Sequence, residues 1–324
     1  MTRIILTHVG TSLLSCLEWA RGNTDVPRLR RTLEQTNALP SPAVQQTVRD
    51  DLQQFLREEI WSLDGAQSDT ERREFSPAEI ASLSLLAPHP GDTVVLLHSQ
   101  TTAGQFCAHE LADLLRQNLA PDSGYPCCLP PITVECVEIT GLHISSDGRR
   151  TSAQQQAQEV ESGEQAFVRV GLVNYVDRVW TYFRKLTRTH DVLLFNITGG
   201  YKGMIPIARD LALLLAAYSR DEINRPIKSE VCYLYETGGD LIRYGALPVK
   251  FVWSPTLRDY LEQAAFPAGT AYARLPVLEQ YTEWEPFFEE VRQNPEQPSS
   301  RIRRSALGEV VLALYKQMYP DGRV

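Results

Sequence analysis

The sequence predicts an α/β protein built on a mainly parallel sheet, and three observations predict it. Short apolar runs alternate with segments of helical spacing along most of the chain. Two of these runs end in glycine-bearing turns that open directly into a helix. A chain of 324 residues with 43% hydrophobic and 22% charged residues has ordinary globular composition and can bury a full core.

Arg3 to Val9 reads as the first strand, and Gly10-Thr11-Ser12 turns the chain into the amphipathic segment Leu13 to Arg21. Residues 23–80 interrupt the alternation with Pro-punctuated, charge-rich helical stretches, including an amphipathic 44–63 with Val48, Leu52, Phe55, Leu56 and Trp61. They read as a helical insertion between the first and second strands. Thr93 to His98 is the second strand, followed by a polar turn with Gln100, Thr101 and Thr102 and a helix from Gln105 to Leu115. Thr133 to Thr140 is the third strand. Residues 145–165 are polar and poor in apolar side chains, so a loop or lid is expected there.

Phe167 to Leu186 carries Phe167, Val170, Val173, Val176, Val179, Trp180 and Phe183 at helical spacing. Val192 to Phe195 is a buried strand that leads into the turn 196–203 and a further helix. Glu230 to Tyr235 opens a late strand pair with Asp240 to Tyr244 around Thr237-Gly238-Gly239. After Pro255 the sheet pattern stops, leaving an amphipathic Trp284–Val291, a polar connection and a last helix, Ser305 to Met318. The division expected is a sheet domain over 1–250, with its insertion at about 23–80, and a small helical region over 251–324. Arg301, Arg303 and Arg304 read as a solvated flank of the last helix in preference to a winged-helix-like nucleic-acid contact.

The two glycine turns are the candidate site. After the fourth strand, Asn196 and Thr198 can bond the turn backbone, while Gly199, Gly200 and Gly203 permit φ > 0 or close approach of a ligand. A helix that starts there aims free N–H groups at the turn, which makes an anion site holding Lys202. In open α/β sheets ligands collect at the carboxyl ends of the strands, so Ser12 and Lys202 are expected to be neighbours. Plainer roles exist for each residue. Ser12 serves equally as a helix cap, and Asn196 as a turn former. Lys202 as a solvated lysine is disfavoured, because a cation at a helix N-terminus is unfavourable unless an anion is bound. Gln100, Thr101 and Thr102 either contact a ligand or merely end a strand, and Tyr201 and Met204 either stack on the ligand or pack.

A net charge of −8 argues against binding to long nucleic acid, which is driven by dense Lys and Arg. No apolar run reaches the roughly 18–20 residues needed to cross a bilayer, so a cytoplasmic protein is expected, with no membrane contact. The six cysteines read as reduced and mostly buried, and Cys127-Cys128 lack metal-type spacing. The six histidines show no metal spacing either, and His190-Asp191 has no companion ligands around it in sequence. Neither a metal nor a cofactor is expected. The spacing of Arg184 and His190 fits the signature of HEPN ribonucleases, but both precede a strand of the sheet, so coincidence is the better reading.

Together the motifs carry a family resemblance. HVGTSLL (8–14), FSPAEIASL (75–83), VVLLHSQTTAGQFCAHELADLL (94–115), VECVEITGL (134–142), GLVNY (171–175), NITGGYKGMIPI (196–207) and VCYLYETGGDLIRYGALPV (231–249) occur in this order. The set resembles CRISPR-associated Rossmann-fold (CARF) proteins, and within them the group that includes the CRISPR ring nucleases. The resemblance implies a Rossmann-like domain that binds cyclic oligoadenylate, with cyclic tetra-adenylate preferred, in a pocket on the two-fold axis of a homodimer. It further implies metal-free cleavage, with Ser12 and Lys202 as catalytic residues. Gly10, Thr11, Gln100, Thr101, Thr102, Asn196, Thr198, Gly199, Gly200, Tyr201 and Gly203 would contact the ligand.

Two other functions compete with that expectation. One is a sensor that binds the same ring and passes a conformational change to another domain or a partner. The other is a nucleotide-cofactor enzyme, which the missing G-x-G-x-x-G and P-loop count against.

Overall fold

The computed structural model describes residues 1–21, 29–30, 33, 39–55, 77–117, 132–142, 167–200, 202–234, 241–244, 255–263, 287–290 and 302–320. The expected lid 145–165, Cys127-Cys128, Tyr201, Arg301 and residues 56–63 of the amphipathic insertion lie outside these. The described residues fall into two compact units, Met1–Ile139 with Lys185–Val249, and Thr140–Arg184 with Lys250–Val324.

The first unit is the sheet. Its strands are β1 (Arg3–His8), β2 (Thr93–Ser99), β3 (Thr133–Ile139), β4 (Val192–Asn196), β5 (Lys228–Leu234) and β6 (Leu241–Tyr244). They lie in the order β3-β2-β1-β4-β5-β6, with β5 and β6 antiparallel and every other neighbouring pair parallel. This is a Rossmann-like, doubly wound sheet whose strand order reverses beside β1. The winding follows from the crossovers: the chain moves outward from β1 through β2 to β3, then returns to the other side of β1 for β4 and β5.

The helices of this unit are α1 (Ser12–Arg21), α2 (Pro42–Phe55), α3 (Ala78–Leu86), α4 (Thr102–Gln117) and α6 (Met204–Asp221). Every residue of β1 is buried, which requires cover on both faces. One face presents Ile5, Val94, Leu96, Val134, Val192 and Leu194 to Leu13 and Leu14 of α1, Ile80 and Leu83 of α3, and Phe106 and Leu111 of α4. On α6, Met204, Ile207, Ala208, Leu211 and Leu215 recur at helical spacing and are buried, each large one contributing roughly 1.5–3 kcal/mol. Val48 of α2 adds to the first face from the insertion.

Two charged clusters hold the amino ends of the strands. Arg3 donates from Nε to Asp92 Oδ2 at 2.7 Å and from Nη2 to the Ala87 carbonyl at 2.7 Å, both partners lying just ahead of β2. Asp191 accepts from the amides of Thr2 at 2.7 Å, Arg188 at 2.9 Å and Thr187 at 3.0 Å. Burial opposes the ionisation of Asp191, yet these amides together hold its carboxyl below the usual range. Asp191 is therefore spent on the backbone at the start of β4.

The second unit contains α5 (Leu172–Phe183), α7 (Pro255–Gln263), β7 (Phe288–Glu290), β8 (Ile302–Arg304) and α8 (Ala306–Met318). Its α5 packs on α8, so residues 140–184, which the sequence places inside a 1–250 domain, cluster with the C-terminal elements. Three expectations are corrected here. The helix expected from Phe167 begins as a π-helix, Phe167–Gly171, where Gly171 sits against the Gly141 carbonyl too closely for any side chain. Within the expected helix Trp284–Val291 the described residues include a strand instead: β7 pairs antiparallel with β8, and Glu289 stands opposite Arg303 in register. Its apolar residues fit a helical period, but the backbone pairing of 288–290 with 302–304 makes this stretch a strand. The third correction follows from the pairing, because Arg304 is no solvated flank. It donates to the Leu261 carbonyl at 2.6 Å and ion-pairs with Glu309 at 2.9 Å. Ser305 then caps α8, accepting from the Gly308 amide at 3.1 Å.

Candidate functional site

The carboxyl ends of β1 and β4 are adjacent, so the turns that follow them meet at the point where the strand order reverses. The approach is backbone on backbone. A Cβ added to Gly10 would lie 2.7 Å from the Gly200 nitrogen and 3.1 Å from its Cα. Gly200 adopts φ +80, which L side chains rarely take, and a Cβ there would meet the His8 Cβ at 2.9 Å. Gly203, by contrast, has an ordinary helical φ of −62 and needs no glycine freedom.

Beneath both turns lies Glu79, a residue whose role the sequence did not reveal. It is 1% exposed. Its Oε1 accepts from the Gly10 amide at 2.9 Å, and its Oε2 accepts from the Ser12 hydroxyl. Gly199 passes directly over this carboxyl, so that a Cβ would collide with Oε1 and lie 2.6 Å from the His8 carbonyl oxygen. Burial pushes the Glu79 carboxyl above its ordinary range, against the hydrogen bonds from Ser12 and Gly10 that pull it down. A signal was present in the sequence: α3 reads AEIASLSLL, a single carboxylate among small and apolar residues.

The polar residues after β4 are engaged inward. Asn196 is fully buried, donates from Nδ2 to Ser82 Oγ at 2.8 Å, and accepts from the Thr198 hydroxyl at 2.9 Å. Thr198 Oγ1 in turn accepts from the Leu234 amide at 3.0 Å, tying the turn to β5. Lys202 stands exposed at the start of α6. Thr11 is exposed and Ser12 half-buried at the start of α1.

The turn after β2 stands beside that of β1, since the two strands pair in parallel and the Val9 amide donates to the Leu97 carbonyl at 2.8 Å. Thr101 caps α4 by accepting from the Gly104 amide at 3.1 Å, and its hydroxyl also pairs with Ser99 Oγ at 2.8 Å. Thr102 is buried in the first turn of α4, and Gln100 is exposed. A cavity of about 270 Å³ is lined by Leu39, Arg49, Phe106 and Glu110 among others, none of them a residue of these turns, and Arg49 is already paired with Glu110 at 2.9 Å.

The electrostatics set opposite pH trends. Burial pushes the His8 imidazole down to about 4 from its ordinary 6.5. The unfolded chain therefore binds a proton there that the folded chain refuses, and about 3 kcal/mol of stability is lost as pH falls from 6.5 to 4. Glu79, raised when folded, acts the other way: its contribution is present below the unfolded carboxylate pKa and is lost as pH rises through the folded one. Glu79→Gln should gain more stability relative to the wild type at a high pH than at a low one, and its urea midpoint, freed of the opposing Glu79 trend, should fall as pH drops from 6.5 toward 4. An equal offset at both pH values would contradict this assignment.

Among the described residues, no group of three or more His, Cys, Asp or Glu is placed to hold a metal ion, and no helix is long and apolar enough to cross a membrane. Residues 77–248, more than half of the chain, match the model of a family described as CRISPR-associated protein (Cas_APE2256). The match begins just ahead of Glu79 and takes in the turn after β4, whereas the Ser12 turn lies before it. No curated protein matches the chain.

Proposed function

The chain belongs to this CRISPR-associated family, and on that premise we propose that it is a CARF-type ring nuclease. It binds cyclic oligoadenylate, preferably cyclic tetra-adenylate, across the axis of a homodimer and cleaves it to switch off type III CRISPR signalling. The observation that carries the reading is the meeting of two glycine turns at the reversal of the sheet, with Ser12 on one and Lys202 on the other. An exposed lysine at the start of α6 is favourable when an anion shares the site. A two-fold symmetric ring of phosphates suits the self-complementary surface of such a dimer.

In this reaction the ring supplies its own nucleophile. The ribose 2′ oxygen attacks the adjacent phosphorus in line, the bond from phosphorus to the 5′ oxygen breaks, and the proton lost from the 2′-OH is balanced by one gained at the departing 5′ oxygen. The products are linear and end in a 2′,3′-cyclic phosphate. Holding the attack geometry and stabilising charge on the phosphorane are the tasks left to the protein. Lys202 serves the second and Ser12 the first.

Labelled cyclic tetra- and hexa-adenylate incubated with the protein in EDTA should give cyclic-phosphate products, and the same sample should run as two chains of 36.5 kDa. Rings that bind tightly but persist would favour the sensor reading, for which the second compact unit is the supporting observation. Rings that neither bind nor break would remove both.

A further inference from the structure

Glu79 joins the two turns from below, and its contacts decide what Ser12 offers from above. A hydroxyl has one proton and two lone pairs. The Ser12 proton is directed to Glu79 Oε2, while Oε1 holds the Gly10 amide, so Ser12 Oγ has only acceptor capacity left for the open side of its turn. A phosphate oxygen, itself only an acceptor, gains no hydrogen bond from that hydroxyl, and the carboxylate beneath repels it. A ribose hydroxyl is a donor. Building on the ring-nuclease reading, we propose that Glu79 is a positioning residue that fixes Ser12 as a hydrogen-bond acceptor, so that this turn receives the ribose 2′-OH of the ring while the phosphates are left to the Lys202 turn.

The surroundings allow Glu79 to set that polarity by itself. The thiols of Cys16 on α1 and Cys107 on α4 are held protonated, first by burial and then by the Glu79 charge. His8 on β1 is kept neutral by burial. Lys202 is the charged residue of the neighbouring turn. Protonating Glu79 frees it to donate to Ser12 and turns the serine hydroxyl toward the ligand, so cleavage falls as pH drops through the folded pKa of Glu79.

Glu79→Gln tests this with little change of shape, because its carbonyl can still accept from Gly10 while its amide nitrogen donates to Ser12 and reverses the hydroxyl. Single-turnover cleavage of cyclic tetra-adenylate, and the Kd of that ring and of its 2′-deoxy analogue, are measured for the wild type, Glu79→Gln, Ser12→Ala and the double variant. The wild type should bind the ribose ring more tightly than the deoxy ring. Glu79→Gln should lose that preference, cleave about 10-fold or more slowly with a flattened acid limb, and add nothing to Ser12→Ala in the double variant. A wild-type rate and preference in Glu79→Gln, or effects that add, would overturn the proposal. Should Glu79→Gln not fold, Ser12→Ala alone must erase the ribose preference, and a retained preference overturns it equally. A wild type that neither binds nor cleaves the ring removes the nuclease reading and this proposal together; one that binds without turnover leaves the ribose preference as the deciding measurement.

Discussion

Lys202→Ala is expected to slow single-turnover cleavage of cyclic tetra-adenylate by about 10²–10³-fold at saturating ligand. That is about 2.7–4 kcal/mol, the loss typical of removing one preorganised group from a developing oxyanion. The charge on the phosphorane exceeds that on the resting phosphodiester, so a lysine at this turn acts more strongly on the transition state than on the bound ring. Binding should weaken much less, because in the proposed site backbone amides of the same turn would remain available to the phosphates. Chelator should leave the cleavage measured for both proteins unchanged. Equal cleavage by wild type and Lys202→Ala would take Lys202 out of the chemistry and shift the preferred function to sensing.

The second large effect is on stability. Gly199→Ala should cost about 3 kcal/mol, near the upper end for overpacking a filled interior. Its methyl group would collide with the Glu79 carboxyl and sit 2.6 Å from the His8 carbonyl oxygen. The carboxyl could move only by giving up Gly10 and Ser12, and the carbonyl belongs to the end of a strand that is paired on both sides. Gly203→Ala is the control: with φ −62 it should be neutral or slightly stabilising. A Gly199→Ala urea midpoint equal to the wild type would show that the turn yields more easily than its contacts indicate.

Much of the sheet was legible because its signals are local. Apolar runs of strand length, glycines at strand ends and helical spacing after them located β1, β2, β3, β4 and β5 to within a few residues, and parallel alternation placed the Ser12 and Lys202 turns together. The errors arose where two local patterns coincide. Trp284, Phe287, Phe288 and Val291 fit a helix, and only the pairing of β7 with β8 separates the alternatives. Phe167 and Val170 fit an α-helix, whereas 167–171 is a π-helix that ends where Gly171 packs against the Gly141 backbone.

The site was legible in its turns and illegible in its floor. The bond from Ser12 to Glu79 spans 67 residues of sequence, and that from Asn196 to Ser82 spans 114. No periodicity reports such pairs, because they exist only once α3 has docked beside the carboxyl edge of the sheet. The polar groups of Asn196 and Thr198, which resemble ligand contacts in sequence, are engaged with Ser82 of α3, with one another and with the Leu234 amide of β5.

The contact of Gly10 with Gly200 has a bearing on heredity. Where two main chains touch, the surface they form carries no side-chain identity, so a missense change can alter it only by placing an atom where none fits. Variation is then channelled to the rim, to positions such as Thr11, Gln100 and Lys202 that stand exposed around the contact. A lineage can change what the rim selects, step by step, while the two glycines pass on an unaltered seat for whatever is selected.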